Sequence, residues 1–194
     1  MRQTNTSSNQ TAKIDSILEK INQIPGIVKI FTKLETMETL YQYFKPIEVE
    51  GYCAACPNYG RIWSCPPFDF DVKSYLAPYT HVLIIGVKTT DFEATRRQFG
   101  DILKKASTLS HEPRSLDVLI AGNCYHCEVC TKVEGGTCIL EEGTKYSLEA
   151  LGFHVGDICE KLLDAPLDWS GNDGTFMTVG AVLSNSSDAL EGLI

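Results

Sequence analysis

The chain has 194 residues and 21.5 kDa, of which 43% are hydrophobic and 22% charged, with mean hydropathy -0.07 and a formal net charge of -8. That apolar fraction excludes a wholly disordered chain. The acidic balance argues against nucleic acid as the ligand, since the longest basic excess is only Arg96-Arg97 with Lys104-Lys105. No apolar run reaches the roughly 18 residues of a membrane span, and the polar stretch Met1 to Thr11 lacks the apolar core of a signal peptide. The expectation is a cytoplasmic protein without a membrane partner, with a mobile tail over residues 1–11 and one α/β metal-binding domain over 12–194.

Taken in chain order, Ile14, Ile17, Leu18 and Ile21 form one apolar stripe, predicting a helix from Ala12 to Gln23 that Pro25-Gly26 stops. Ile27 to Thr32 reads as a short strand. Leu34, Met37, Leu40, Tyr41 and Phe44 take up helical spacing before Pro46, and Ile47 to Tyr52 alternates as a half-buried strand does. Asp69 to Ala77 predicts a short helix. His81 to Val87 is a continuous apolar run, the pattern of a strand covered on both faces. Thr90 and Glu93 suggest a capping box for a helix carrying Phe92, Phe99, Ile102, Leu103 and Ala106. Leu116 to Ala121 is a second apolar strand. Strand, helix, strand at this spacing predicts a βαβ unit with the two strands parallel. Ser147 to Leu151 and Val155 to Leu163 read as helices, and Thr175 to Leu183 as β-rich. The expected fold is therefore α/β, a mixed sheet built around that βαβ unit, with two cysteine-rich loops at one sheet edge.

Eight cysteines are the informative part of the composition. A disulfide framework suits short exported chains, whereas clustered thiols in a reducing compartment bind metal or do redox chemistry. The first group is Cys53-Ala54-Ala55-Cys56, eight intervening residues, then Cys65-Pro66-Pro67. The second is Cys124-x2-Cys127-x2-Cys130, seven intervening residues, then Cys138. Two-residue gaps let one tight turn aim successive thiolates at one centre, and the triple form wraps one side of a cuboidal iron-sulfur cluster that a remoter cysteine completes. Zinc is the competitor, with Cys53/Cys56 and Cys124/Cys127 as its two chelating pairs. That choice strands Cys65, Cys130 and Cys138 in the same loops. Ligand count favours iron-sulfur.

Cys124, Cys127, Cys130 and Cys138 close one [4Fe-4S] site. Cys53, Cys56 and Cys65 are one thiolate short of a second, whose fourth position would fall to water, substrate, a non-cysteine residue or Cys159. An open iron is a Lewis acid; a closed cluster mainly carries electrons. Cys159 falls on the apolar face of Val155, Ile158, Leu162 and Leu163 and reads as core. Around the groups, His126 is a candidate iron ligand or hydrogen-bond donor to cluster sulfur, or else an exposed loop residue, and Arg61 and Lys132 are candidate positive charges. Trp63, Tyr59 and Phe68 are candidates for an apolar shell about the first site. His81 reads as structural, and His111 and His154 as surface residues. No dinucleotide fingerprint, phosphate loop or nucleophile elbow is present.

The run Cys53-x2-Cys56-Pro57-Asn58-Tyr59-Gly60, with Trp63-x-Cys65-Pro66-Pro67, resembles an uncharacterised prokaryotic family of predicted metal-binding proteins (domain of unknown function 2284). So do Gly122-x-Cys124-x2-Cys127-x2-Cys130, then Cys138, and the stretch Ser147 to Gly152. The resemblance spans roughly Tyr52 to Leu163 and implies that the seven clustered cysteines are metal ligands. It implies no reaction.

The function expected is a cytoplasmic iron-sulfur protein with one or two [4Fe-4S] clusters, passing electrons to a partner protein. The alternatives are an enzyme working on a small molecule through an open-site cluster, and a zinc-stabilised interaction module. Two substitutions separate ligand from core. Cys124→Ser is expected to release metal and destabilise the chain, because ligand binding and loop ordering are coupled. Cys159→Ser is expected to keep its metal, and metal analysis of both variants is the check.

Overall fold

The computed structural model describes residues 17–107, 116–140, 143–168 and 171–191. The tail, the start of the first predicted helix and His111 lie outside the described residues. A four-stranded sheet in the order β1-β2-β4-β3 forms the centre, with β1 at Ile27–Thr36, β2 at His81–Thr89, β3 at Leu116–Leu119 and β4 at Phe176–Ser184. Every neighbouring pair is antiparallel. The α/β class holds, but the expected mixed sheet with a parallel βαβ pair does not. β2 and β3 do run in the same direction, yet β4 lies between them and pairs with both. Val182, for instance, sits opposite Leu83 on one side and Val118 on the other.

The two inner strands explain the layering. Val82 to Ile85 and Val87 are wholly buried, and Met177, Val179, Ala181 and Leu183 alternate with Val182 onto opposite faces of β4. Fully burying one such side chain is worth about 1.5–3 kcal/mol, so both faces must be covered. On one face lie α1 (residues 17–22), α5 (Phe92–Ser107) and α7 (Asp188–Glu191), through Ile17, Ile21, Phe99, Leu103 and Leu190. On the other lie α2 (Met37–Tyr41), α4 (Val72–Leu76) and α6 (Val155–Leu162), through Met37, Leu40, Leu76, Ile158 and Cys159. Gly180 lets α5 pack this closely. A β-carbon there would stand 2.8 Å from the Leu119 carbonyl oxygen and 2.9 Å from the Phe99 ring.

Several local expectations are corrected. Ile47 to Tyr52 is not a strand but part of α3 (Pro46–Ala54), which Pro46 opens from the first helical turn. The alternation misled because only Val49 of α3 is buried, while Ile47 and Tyr52 face solvent. Leu34 belongs to β1, and the helix after it begins at Met37, capped by the Thr36 hydroxyl accepting from Thr39 N–H. Asp91, not Thr90, caps α5, its carboxylate accepting from Ala94 N–H at 3.1 Å. Residues 148–152 form a single turn, not a helix. The basic run on α5 is spent internally, with Arg96 and Arg97 beside Glu93 and Lys104 beside Asp101. No helix among the described residues is long and apolar enough to cross a membrane.

Asp117, on the edge strand β3, ties this frame to the segment after the second cysteine group. Its carboxylate accepts from Lys145 Nζ at 2.8 Å and from Tyr75 Oη at 2.6 Å, with both charged side chains nearly buried. Asp117→Asn would leave the Lys145 ammonium buried without a countercharge. The expected loss is about 3 kcal/mol, read from the midpoint of urea unfolding.

Candidate metal centre

The first cysteine segment links α3 to α4. Cys53 occupies the last turn of α3, and the chain then folds through Cys56 N–H to Cys53 O (2.9 Å), Tyr59 N–H to Cys56 O (3.1 Å) and Cys65 N–H to Ile62 O (3.0 Å). Gly60, at φ 68°, donates to Pro66 O at 2.7 Å and closes the loop. The second segment leaves the edge strand β3 through Gly122. Beyond Cys130, a 3₁₀ turn at Thr131–Glu134 ends on Gly135, whose left-handed backbone (φ 74°) suits glycine. Thr131 Oγ1 donates to Thr137 O at 2.7 Å, and Gly136 N–H to Thr131 O at 2.9 Å. The excursion from Cys130 to Cys138 is thereby folded back on itself.

The two segments are docked on each other. Ser64 is wholly buried and its hydroxyl accepts from Cys124 N–H at 2.9 Å. Trp63 Nε1 donates to Thr131 Oγ1 at 3.3 Å, and Lys132 Nζ lies 5.2 Å from the Trp63 ring centroid. Between them opens a cleft of about 610 Å³ on which Cys124, Cys127, Cys130 and Cys138 all lie. Asn58, Arg61 and Trp63 of the first segment also line it, whereas Cys53 and Cys56 are not among its described lining residues.

All eight cysteines are free thiols. Burial pushes the thiol of Cys124 up, with Cys127 and Cys138 adding to the rise. The His126 main-chain N–H bonded to the Cys124 sulfur, and the Lys104 charge, oppose it. The donor near His126 is thus the backbone amide, and the imidazole is exposed. In the first group burial raises Cys65 to about 11, Cys56 and Cys53 adding to the rise while Ser64 and Lys132 oppose it. Cys53 is raised by burial and then by Glu149. The thiols therefore fall into two sets, each sensing its own members. Among the described residues, no three His, Cys, Asp or Glu side chains are gathered closely enough to hold a metal ion as they stand. Capture requires the loop thiols to turn to one centre and lose their protons. The donor chemistry, four thiols on one cleft, fits a thiolate-bound metal.

Of the aromatic shell expected about the first site, Trp63 turns to the second group's cleft, while Phe68 lines a small cavity beside Pro66 and Pro67. Tyr59 Oη donates to Glu50 at 2.7 Å, and Phe68 stacks on Phe70 with centroids 4.9 Å apart. His154 is no idle surface residue: its Nδ1 accepts from Asp157 N–H at 3.1 Å and caps α6. Cys159 is core as expected, wholly buried, its thiol pushed up to about 12.

Sequence reasoning missed Ser64 and Tyr125. Tyr125 lies under three cations, with Arg96, Arg97 and Lys104 at 5.1, 5.3 and 4.7 Å from its centroid, and bonds to Arg97 O at 2.7 Å. It anchors the Cys124–Cys127 turn on α5. Neither Ser64 nor Tyr125 left a trace in the local sequence pattern.

The family model of predicted metal-binding proteins (DUF2284) matches residues 45–184, which include all seven clustered cysteines. No curated protein and no solved structure matches the chain.

Alkylation consumes thiolate, so a raised thiol reacts slowly at neutral pH. In metal-free chain, iodoacetamide is expected to label exposed Cys56 well before Cys65. Labelling of Cys65 should then climb about tenfold per pH unit from near neutrality towards its raised value. Peptide mass mapping along a pH series reads both.

Proposed function

Because the chain belongs to the DUF2284 family of predicted metal-binding proteins, we propose that its metal is iron, held as a [4Fe-4S] cluster by Cys124, Cys127, Cys130 and Cys138, and that it exchanges electrons with a partner protein in the cytoplasm. The observation that carries this is the placement of those four thiols on one cleft. Four thiolates complete a cubane, and when bound the cluster supplies one-electron exchange.

The surrounding residues support that role. The His126 N–H on Cys124 sulfur and the Lys104 charge favour a more negative, reduced centre and so raise its potential. Trp63, fixed by Thr131 and faced by Lys132, walls one side against water. Val129, Val133 and Ile139 are large apolar side chains that line the same cleft and are 61%, 51% and 66% exposed. An apolar rim about a redox centre suits a transient protein partner, which needs close approach and a modest contact area.

Protein purified without oxygen tests this reading. The expected result is about four irons and four sulfides per chain, or about eight of each if Cys53, Cys56 and Cys65 also hold a cluster, with a visible absorption that bleaches reversibly on reduction. A colourless chain containing zinc and no sulfide would overturn it.

A further inference from the structure

The cleft carries charge that holding a metal does not account for. The chain is acidic overall, with a formal net charge of -8. Yet the three arginines among the described residues, Arg61, Arg96 and Arg97, all line this one cleft, and the rest of the described chain uses lysine. Glu128 is the one acidic side chain among the described lining residues. A guanidinium suits a contact with carboxylates better than an ammonium does. Its planar fork donates two parallel hydrogen bonds, and it gives up its water more readily.

The three arginines do different work. Arg96 is buried, and it donates through Nη1 to Asn123 O and through Nη2 to Glu93, both at 3.0 Å, which fixes the chain just before Cys124. Arg97 is 55% exposed, and the same Glu93 carboxylate lies 3.6 Å from its Nε, so one carboxylate is divided between two guanidiniums. Arg61 is exposed and has no ion pair among the described residues. Lys132 faces the Trp63 ring rather than a carboxylate. Exposed Val129, Val133 and Ile139 line the same cleft. Arginine beside apolar side chains is the composition of a protein contact surface. Four bound thiolates would make the centre itself anionic. Cations beside it are therefore what allow an acidic protein to come close to an acidic chain.

We infer that the electron partner is an acidic protein, whose aspartate and glutamate side chains meet Arg61 and Arg97 while its apolar side chains cover Val129, Val133 and Ile139. This rests on the reading of the cleft as an electron-exchange centre and adds the partner's chemistry to it. In the encounter one electron passes from the reduced centre to the partner's oxidised centre, and no bond forms or breaks. The two guanidiniums steer the partner before contact, which raises the association rate and makes it fall as salt is added. The charge of the whole chain points the other way, to a basic partner, so the sign of the salt dependence decides between them.

The anaerobically purified, reduced chain is mixed by stopped flow with oxidised plastocyanin, an acidic carrier, and with oxidised cytochrome c, a basic one, over a series of salt concentrations. The expected result is that plastocyanin oxidises the chain about tenfold faster than cytochrome c at low salt, and more slowly as salt is added. Arg61→Gln and Arg97→Gln should each cut the low-salt plastocyanin rate about threefold while the visible absorption is kept. Arg61→Lys and Arg97→Lys, which keep the charge, should restore most of it. Faster oxidation by cytochrome c, or a plastocyanin rate that neither Gln variant moves, overturns the inference. Ferricyanide separates a small anion from a protein. If Arg61 and Arg97 govern its rate but not that of plastocyanin, the cleft takes a small anion and the acidic protein is ruled out. If the Gln and Lys variants all lose the absorption, the arginines serve folding and the inference falls. A wild-type chain with no absorption to bleach fails before mixing; the electron-exchange reading is then lost and takes this inference with it.

Discussion

Burial of β2 and β4 on both faces is the constraint from which the rest follows. Two adjacent strands with apolar side chains above and below require helices on either side of the sheet. Those helices are supplied by the segments that flank the strands in sequence. β4 fills the centre by pairing with β2 and β3 at once, which leaves β3 as a short edge strand. The chain leaving that edge has no strand to join and becomes the second cysteine loop. The first loop, between α3 and α4, then docks on it through Ser64 and Trp63.

This construction separates rigid support from adaptable ligands. The supports are buried or nearly so: Ser64 beneath Cys124, and Asp117 and Lys145 behind the returning segment. Most of the thiols themselves are only partly buried. Such a division suits a site whose final geometry is completed by the metal, since binding then orders the loops upon a frame already folded. It also places the two thiol groups in unlike surroundings. The second lies on an open cleft with an apolar rim, which Cys53, Cys56 and Cys65 do not line.

At α3 and in the sheet, local pattern and tertiary structure part ways. Ile47 to Tyr52 alternates like a strand, but the proline at the head of the segment and the single buried residue Val49 belong to a helix lying on the surface. Periodicity reports which side chains a core would accept, and on a weakly buried helix it reports little. The β2-α5-β3 sequence has the length of a parallel unit. Nothing within it reveals that a strand some sixty residues later inserts between its two halves.

The amino-acid order alone determined the α/β class, the strongly apolar strands, the core role of Cys159 and the grouping of seven thiols, because each depends on local spacing or composition. Chain pairing, loop docking and the company kept by individual side chains were decided only in three dimensions. The antiparallel order and the Ser64 contact with Cys124 both arise between segments far apart in sequence. The physical reason is that hydrogen-bond satisfaction and burial are properties of the assembled chain, summed over neighbours that no local window contains.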